Sequence, residues 1–315
     1  MRWLRWLAAE VFKLRRMRVT WVLLLILVAF EALMMAGMAY WAQRSPDAQK
    51  MTAEERVQVI TSTSFPGSTP STLGFIASLG PLFAIILAAR LAGDEYAWGT
   101  AKQQVSMGVD RRRYIASKLA GAAMASLFLL VGAVLAGAVI SLAVTMALGR
   151  QVEIGVLTPP FLVEIARCAG IAWFTLGLYA TLTVCVATLT RSSATATAIG
   201  ILVFLLEGSV VGSLASRFAT IARIPPYTIG HNVNVLLALV EHGGDGRAAQ
   251  AAQAAQAAQA AARAVQAAQA QAQAQAQAAA LPPGAVRAFL VLGAWLAVFV
   301  ACSFWAFSRQ ELGVE

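Results

Sequence analysis

Two carboxylates sit where carboxylates are costly. Glu31 and Glu207 fall about twelve and thirteen residues into long apolar runs, and a charge at membrane depth persists only when it is paired, protonated or facing water. Three roles fit such residues: a proton site in a carrier, a polar group on a substrate path or between copies of the chain, or a solvated acid near the outer interface. Gly208 and Gly212 follow Glu207 four residues apart, a spacing that lets two membrane helices approach closely. A second charged set begins with Asp94 and Glu95 and continues through Trp98, Gly99 and Thr100 to Arg111, Arg112 and Arg113. Gly99 permits a turn between the acids and the arginines, which together suit charged contacts with a partner. The three arginines also suit a simpler role, fixing topology and touching lipid phosphates.

Other chemistry finds no support. There is no Ser/His/Asp, Cys/His or paired-acid constellation that could be assembled in water. His231 and His242 are the only histidines, and neither has a partner at metal-ligand spacing. Cys168, Cys185 and Cys302 lie in or beside apolar runs and read as small packing residues. No Gly-x-x-x-x-Gly-Lys-[Ser/Thr] segment is present to cradle phosphates. The expectation is a chain that is not an enzyme and binds no metal or cofactor itself.

The elements that position these residues must be membrane helices. Of 315 residues, 59% are hydrophobic and 12% charged, about half the charge of an ordinary soluble domain. Runs of about 20 apolar residues, the length that crosses a bilayer, occur at Val19–Trp41, Leu73–Leu91, Leu119–Leu148, Ala166–Leu189, Ala194–Leu214 and Ala288–Phe307. The predicted fold is all-α and polytopic with six transmembrane helices. Pro81 predicts a kink in the second, and the third is long enough to tilt or project. Lys and Arg gather at one set of ends: Arg2 to Arg18, then Arg90, Lys102, Arg111 to Arg113 and Lys118, then Arg191 and Arg309. Basic residues stay on the cytoplasmic side, so both termini are expected there. The net charge of +9 is explained by this clustering, and nucleic acid is not expected as a partner.

Residues 1–18 form an amphipathic pattern, with Trp3, Leu4, Leu7, Val11 and Leu14 on one stripe and Arg2, Arg5, Lys13 and Arg16 facing away. This predicts a helix in the cytoplasmic headgroup layer; a cleaved signal peptide fits less well, because leader and apolar stretch are both too long. Residues 19–241 hold spans one to five. In the outer segment after span one, Thr52 and Glu55 have capping-box spacing. Residues 242–285 are a Gly-rich start and an Ala/Gln tract whose Gln period, three and then two, never matches 3.6. A low-complexity outer insertion is expected rather than a seventh crossing. Residues 286–315 supply span six and a tail.

The order of these features resembles one family. A leader Glu10-Val-Phe-Lys13-Leu-Arg-Arg16-Met-Arg18 precedes Trp21; Gly93-Asp94-Glu95-Tyr96-Ala-Trp98-Gly99-Thr100 follows span two; Gly108-Val-Asp110-Arg-Arg-Arg113 leads to Lys118 and span three; and an aromatic-rich last span ends in Phe307-Ser-Arg309-Gln-Glu311-Leu312. This resembles the permease subunits of ABC-2-type ABC transporters. The resemblance implies six spans, a second permease copy as homo- or heterodimer partner, cytoplasmic ABC ATPase subunits that carry ATP and Mg, and a bacterial plasma (inner) membrane. It also implies that Asp94 to Lys118 transmits motion from the ATPase, with the helix around Glu95 to Gln104 docking into it. The dimer would be built largely from spans one and five, placing Glu31, Glu207 and Gly208 near a central path. A stand-alone proton-coupled carrier using Glu31 or Glu207 is the competing function, and a scaffold or sensor subunit is a third. The cargo has no sequence signature.

Overall fold

The computed structural model of the protein describes residues 2–44, 64–147, 149, 158–207, 227–236 and 283–310. Eight helices are assigned there: α1 (Arg2–Arg16), α2 (Arg18–Arg44), α3 (Thr69–Ala97), α4 (Thr100–Ser106), α5 (Arg111–Ala147), α6 (Pro159–Thr190), α7 (Ser193–Leu205) and α8 (Pro283–Arg309). A further helical stretch covers residues 229–236, and no strand occurs among the described residues. The capping-box segment around Thr52, Gly208, Gly212 and the Ala/Gln tract lie outside the described residues.

Five helices, α2, α3, α5, α6 and α8, are long and apolar enough to cross a membrane. Six were expected. The difference lies at the fifth expected span, which begins as α7 but has only 13 helical residues to Leu205, about 20 Å against a hydrocarbon core of about 30 Å. Its expected remainder passes out of the described residues after Glu207.

The helices overrun the apolar stretches that announce them. Residues 69–97 form one helix that continues through Pro81, and α5 has 37 residues, about 55 Å. Apolar composition reports only the part of a helix that meets lipid. Backbone hydrogen bonding carries α3 and α5 on into charged sequence.

Helices α3 and α6 are the centre of the bundle, buried along most of their apolar length, whereas α2, α5 and α8 bury less than a third of theirs. Small side chains make the central contact close: Ala77, Ala84 and Ala88 of α3 are buried, and a methyl on Gly80 would come within 3.1 Å of Leu176 on α6. In an apolar solvent, packing of this kind holds helices together without a hydrophobic driving force. Helices α5 and α7 complete the wall around α3, and α8 lies on α6 and α5.

Two aromatic N–H groups fix the chain at points where helices end. Trp21 donates its indole N–H to the carbonyl of Arg15 at 2.9 Å, satisfying one of the open carbonyls at the end of α1 and setting the elbow into α2. Trp295 of α8 donates to the carbonyl of Tyr227 at 2.9 Å, and Arg287 stands 5.6 Å over the Tyr227 ring. Tyr227 itself is well exposed.

Candidate functional site

Four charged side chains converge at the end of the bundle where α1 lies. Glu10 and Lys13 are three apart on α1, so they share a face. Glu95 belongs to the last turn of α3. Lys118 lies two turns into α5, with Tyr114 one turn before it. The Lys118 amine lies 2.5 Å from Glu10 Oε1 and 2.5 Å from Glu95 Oε1. Lys13 reaches the same Glu95 oxygen at 2.7 Å and the Leu91 carbonyl at 3.1 Å. The Tyr114 hydroxyl donates to Glu95 Oε2 at 2.8 Å.

Glu10, Glu95, Lys118 and Tyr114 are all buried. Two carboxylates facing two ammonium groups cancel in charge, which offsets the large cost of removing each from water. The approach that makes this possible depends on Gly121, where a methyl would meet Leu91 Cδ2 at 2.9 Å and the Glu10 side chain at 3.4 Å. The cluster therefore joins α1, α3 and α5 into one mechanical unit. Its amines and the Tyr114 hydroxyl are taken up in bonds to the two acids, so the arrangement is that of a tie between helices.

Beyond this unit the chain turns outward. Helix α3 stops at Ala97; Gly99 takes the left-handed conformation with φ 69°, which glycine adopts without strain, and α4 follows. The Trp98 and Gly99 amides bond back to the carbonyls of Asp94 and Tyr96 at 3.0 and 3.2 Å, and the Thr100 hydroxyl donates to the Glu95 carbonyl at 3.2 Å. The turn is thus pinned to the last coil of α3. Its side chain is not: Trp98 is 70% exposed. Together with Phe12, Lys13, Arg16, Met17 and Asp94 it lines an open hollow between α1 and α3. Asp94 is buried at the edge of this hollow, where Arg90 pairs with it at 3.4 Å.

The arginine triplet divides. Arg111 donates to the carbonyls of Ser308 and Gln310 at 3.0 and 2.9 Å, a cation on the open carbonyls at the end of α8. Gln310 in turn donates to the Thr188 carbonyl on α6 at 2.6 Å, and Tyr114 stacks on Phe307 with 4.8 Å between ring centroids. Arg112 and Arg113 are exposed; Arg113 has only a 3.9 Å pair with Asp110, of little energetic weight at a surface.

Several expectations change. Glu95 was expected on a docking surface, but it is 6% exposed and saturated by Lys13, Lys118 and Tyr114. The helix expected over Glu95 to Gln104 is two helices separated at Trp98-Gly99. Lys13, placed on the outward polar face by helical period, points inward to Glu95. Glu10, Lys13, Tyr114 and Lys118 were missed as a set. A single acid within a basic leader and a lone lysine entering an apolar run were the available signals.

The two deep acids occupy separate settings. Glu207 accepts the backbone N–H groups of Ile229 and Gly230 at 3.4 and 3.1 Å, capping the helical stretch 229–236. Glu31 is 1% exposed and turned into its own bundle toward Thr72 and Gly137, a placement that does not present it to a second copy of the chain.

The family described as ABC-2 family transporter protein matches residues 6–312. A comparison with curated proteins gives no match.

Proposed function

The chain belongs to the ABC-2 transporter family, and from that premise we propose that it is the permease of an ATP-driven exporter which receives force through the Trp98–Ser106 turn. A multi-pass membrane permease of an ABC transporter needs a path through lipid and a mechanical input; its family implies association with ABC ATPases. In this reading the end bearing α1 is cytoplasmic, both termini lie there, and the membrane is a bacterial inner membrane. ATP and Mg are bound by the separate ATPase chain, and a second permease, identical or related, completes the path. α1 rests in the headgroup layer with Arg15, Arg16 and Arg18 toward anionic lipid.

The observation that carries this is the pairing of an exposed aromatic turn with a buried ionic clamp directly beneath it. Trp98 and α4 offer a partner an apolar anchor ringed by polar residues, the composition of an interface hot spot. Displacing that turn pulls on Glu95, and through Lys13 and Lys118 on α1 and α5. Glu95 acts here as a positioning residue, holding the turn rather than touching the ATPase.

A Trp98→Ala variant tests it. Losing a buried aromatic anchor weakens an interface by about 2 kcal/mol, roughly 30-fold in Kd. ATP turnover stimulated by the reconstituted permease is expected to fall accordingly, with the thermal unfolding temperature of the permease alone unchanged. Equal stimulation by the variant and the wild type would sink the assignment. The competing reading, a stand-alone proton-driven carrier, loses Glu207 as its site because that carboxylate is already capping a helix. Transport by the isolated chain under a proton gradient would restore it.

A further inference from the structure

Glu31 takes no part in the clamp, yet it is among the most deeply buried polar residues. Neither carboxyl oxygen has a hydrogen-bond partner of ordinary geometry among the described residues, and Thr72 is the polar side chain beside it. A methyl at Gly137 on α5 would collide with Glu31 Oε1 and lie 2.9 Å from Thr72 Cγ2 of α3. The carboxyl therefore occupies space that Gly137 leaves open, between α2, α3 and α5.

A polar seam leads from this point to the far end of the bundle, away from α1. Ser64, Ser68 and Thr72 recur every fourth residue into α3, and Gly137, Ser141 and Thr145 recur every fourth residue along α5; all five hydroxyl side chains are buried. The rows meet where the Phe65 N–H donates to Thr145 Oγ1 at 2.9 Å. Ser141 and Thr145 give their own protons to carbonyls of α5, at Ala138 and Ser141. A buried hydroxyl can accept one proton while giving up another, so rows of them at one helical period on two facing helices suit a relay through otherwise apolar packing.

Among the described residues no charge compensates Glu31. On α2 the charged residues are Arg18 and Arg44, each thirteen positions away, about 20 Å along the helix; Tyr40 is exposed. Those of α3 are Arg90, Asp94 and Glu95, and those of α5 are Arg111, Arg112, Arg113 and Lys118, all at the α1 end with Tyr114. An ionised carboxylate in such a place lacks both counter-charge and water, whereas a neutral acid lacks only a hydrogen bond.

We propose that Glu31 is a proton-binding site which exchanges with the far side of the membrane along the Ser64–Thr145 seam. The ligand is the proton itself, and its presence lets α2 remain seated on α3 and α5. Release of the proton leaves an unpaired charge among three helices, which gains water only when the outer half of α2 moves off. This goes beyond the permease role; only the naming of the far side as the outer one rests on the orientation proposed above.

The test is infrared spectroscopy on the full chain in liposomes sorted for one orientation, comparing wild type with Glu31→Gln. The amide is isosteric and neutral, so it fits the same space. A carbonyl stretch of a protonated carboxyl is expected at neutral pH in wild type and not in the variant, and it should fade as the outer solution alone is made alkaline. In detergent, the unfolding temperature of wild type should fall with rising pH more steeply than that of Glu31→Gln, because the folded state holds a proton that the unfolded state releases. No wild-type-specific band from acid to neutral pH overturns the site. A band that follows only the inner solution overturns the seam as its route. Either result leaves the ATPase assay with Trp98→Ala to decide the permease reading separately.

Discussion

Lys118→Met is expected to cost the fold about 3–5 kcal/mol, the range for removing one partner from a buried ion pair. The reason is local. Glu95 keeps Lys13 and Tyr114 when Lys118 is lost, but Glu10 Oε1 is bonded to Lys118 and Glu10 Oε2 has no partner among the described residues. Methionine fills much the same volume, so the loss reports charge rather than a cavity. The double variant Glu10→Gln/Lys118→Met is then expected to recover a large part of that stability, since the stranded charge is gone. Thermal unfolding in detergent of both variants and of Glu10→Gln alone forms a complete cycle. Strictly additive effects, or a Lys118→Met protein as stable as wild type, would show that the clamp carries no coupling energy.

Gly93→Ala should be similarly disruptive for a different reason. A methyl at Gly93 would lie 2.6 Å from both the nitrogen and Cβ of Ser193, and still closer to its Cα. Backbone cannot rotate away as a side-chain tip can, so α3 and the start of α7 must separate. Overpacking of this kind costs about 1–3 kcal/mol, and the displacement here falls one residue before Asp94 and two before Glu95. Ser193 also follows Arg191, held at φ 55°, and Ser192, whose hydroxyl caps α7 by accepting the Thr195 N–H at 3.3 Å. The variant should lose stability and ATPase stimulation together, in contrast to Trp98→Ala, which should lose stimulation alone. A Gly93→Ala protein with wild-type unfolding temperature would mean that α7 is free to shift.

Helix class and membrane residence were legible because they depend on runs of like residues. A run of about twenty apolar positions announces a crossing, and five of the six expected runs carry a helix long and apolar enough to make one. α1 was legible from its period, and the burial of Leu14 beside exposed Arg15 and Arg16 agrees with the stripe. The clamp was not legible, because its members stand 82 and 108 residues apart along the chain and each alone resembles an ordinary topogenic charge. Helical period even misdirected Lys13. It assigns lysine to water by type, whereas a long flexible stem lets the amine reach an acid on a neighbouring helix. Arg111, Arg112 and Arg113 were read as a unit because they are adjacent. On a helix adjacent residues point about 100° apart, and only Arg111 faces the end of α8. Glu31 stands out in the sequence for its depth in an apolar run, but the sequence does not say which way it turns, and the structure turns it into its own bundle.

Tyr227 and Trp295 have a consequence for how this gene can change. The hydrogen bond between them, the Arg287 contact and the Glu207 cap on residues 229–236 tie the described residues before and after the Ala/Gln tract to the bundle. The entropic cost of joining two fixed points by a chain grows only with the logarithm of the number of residues between them, about 0.6 kcal/mol for each doubling. Repetitive coding sequence is prone to gain and lose units when it is copied. Because these contacts are made by residues on either side of it, a change in the number of Ala/Gln units is expected to leave the described bundle as it is.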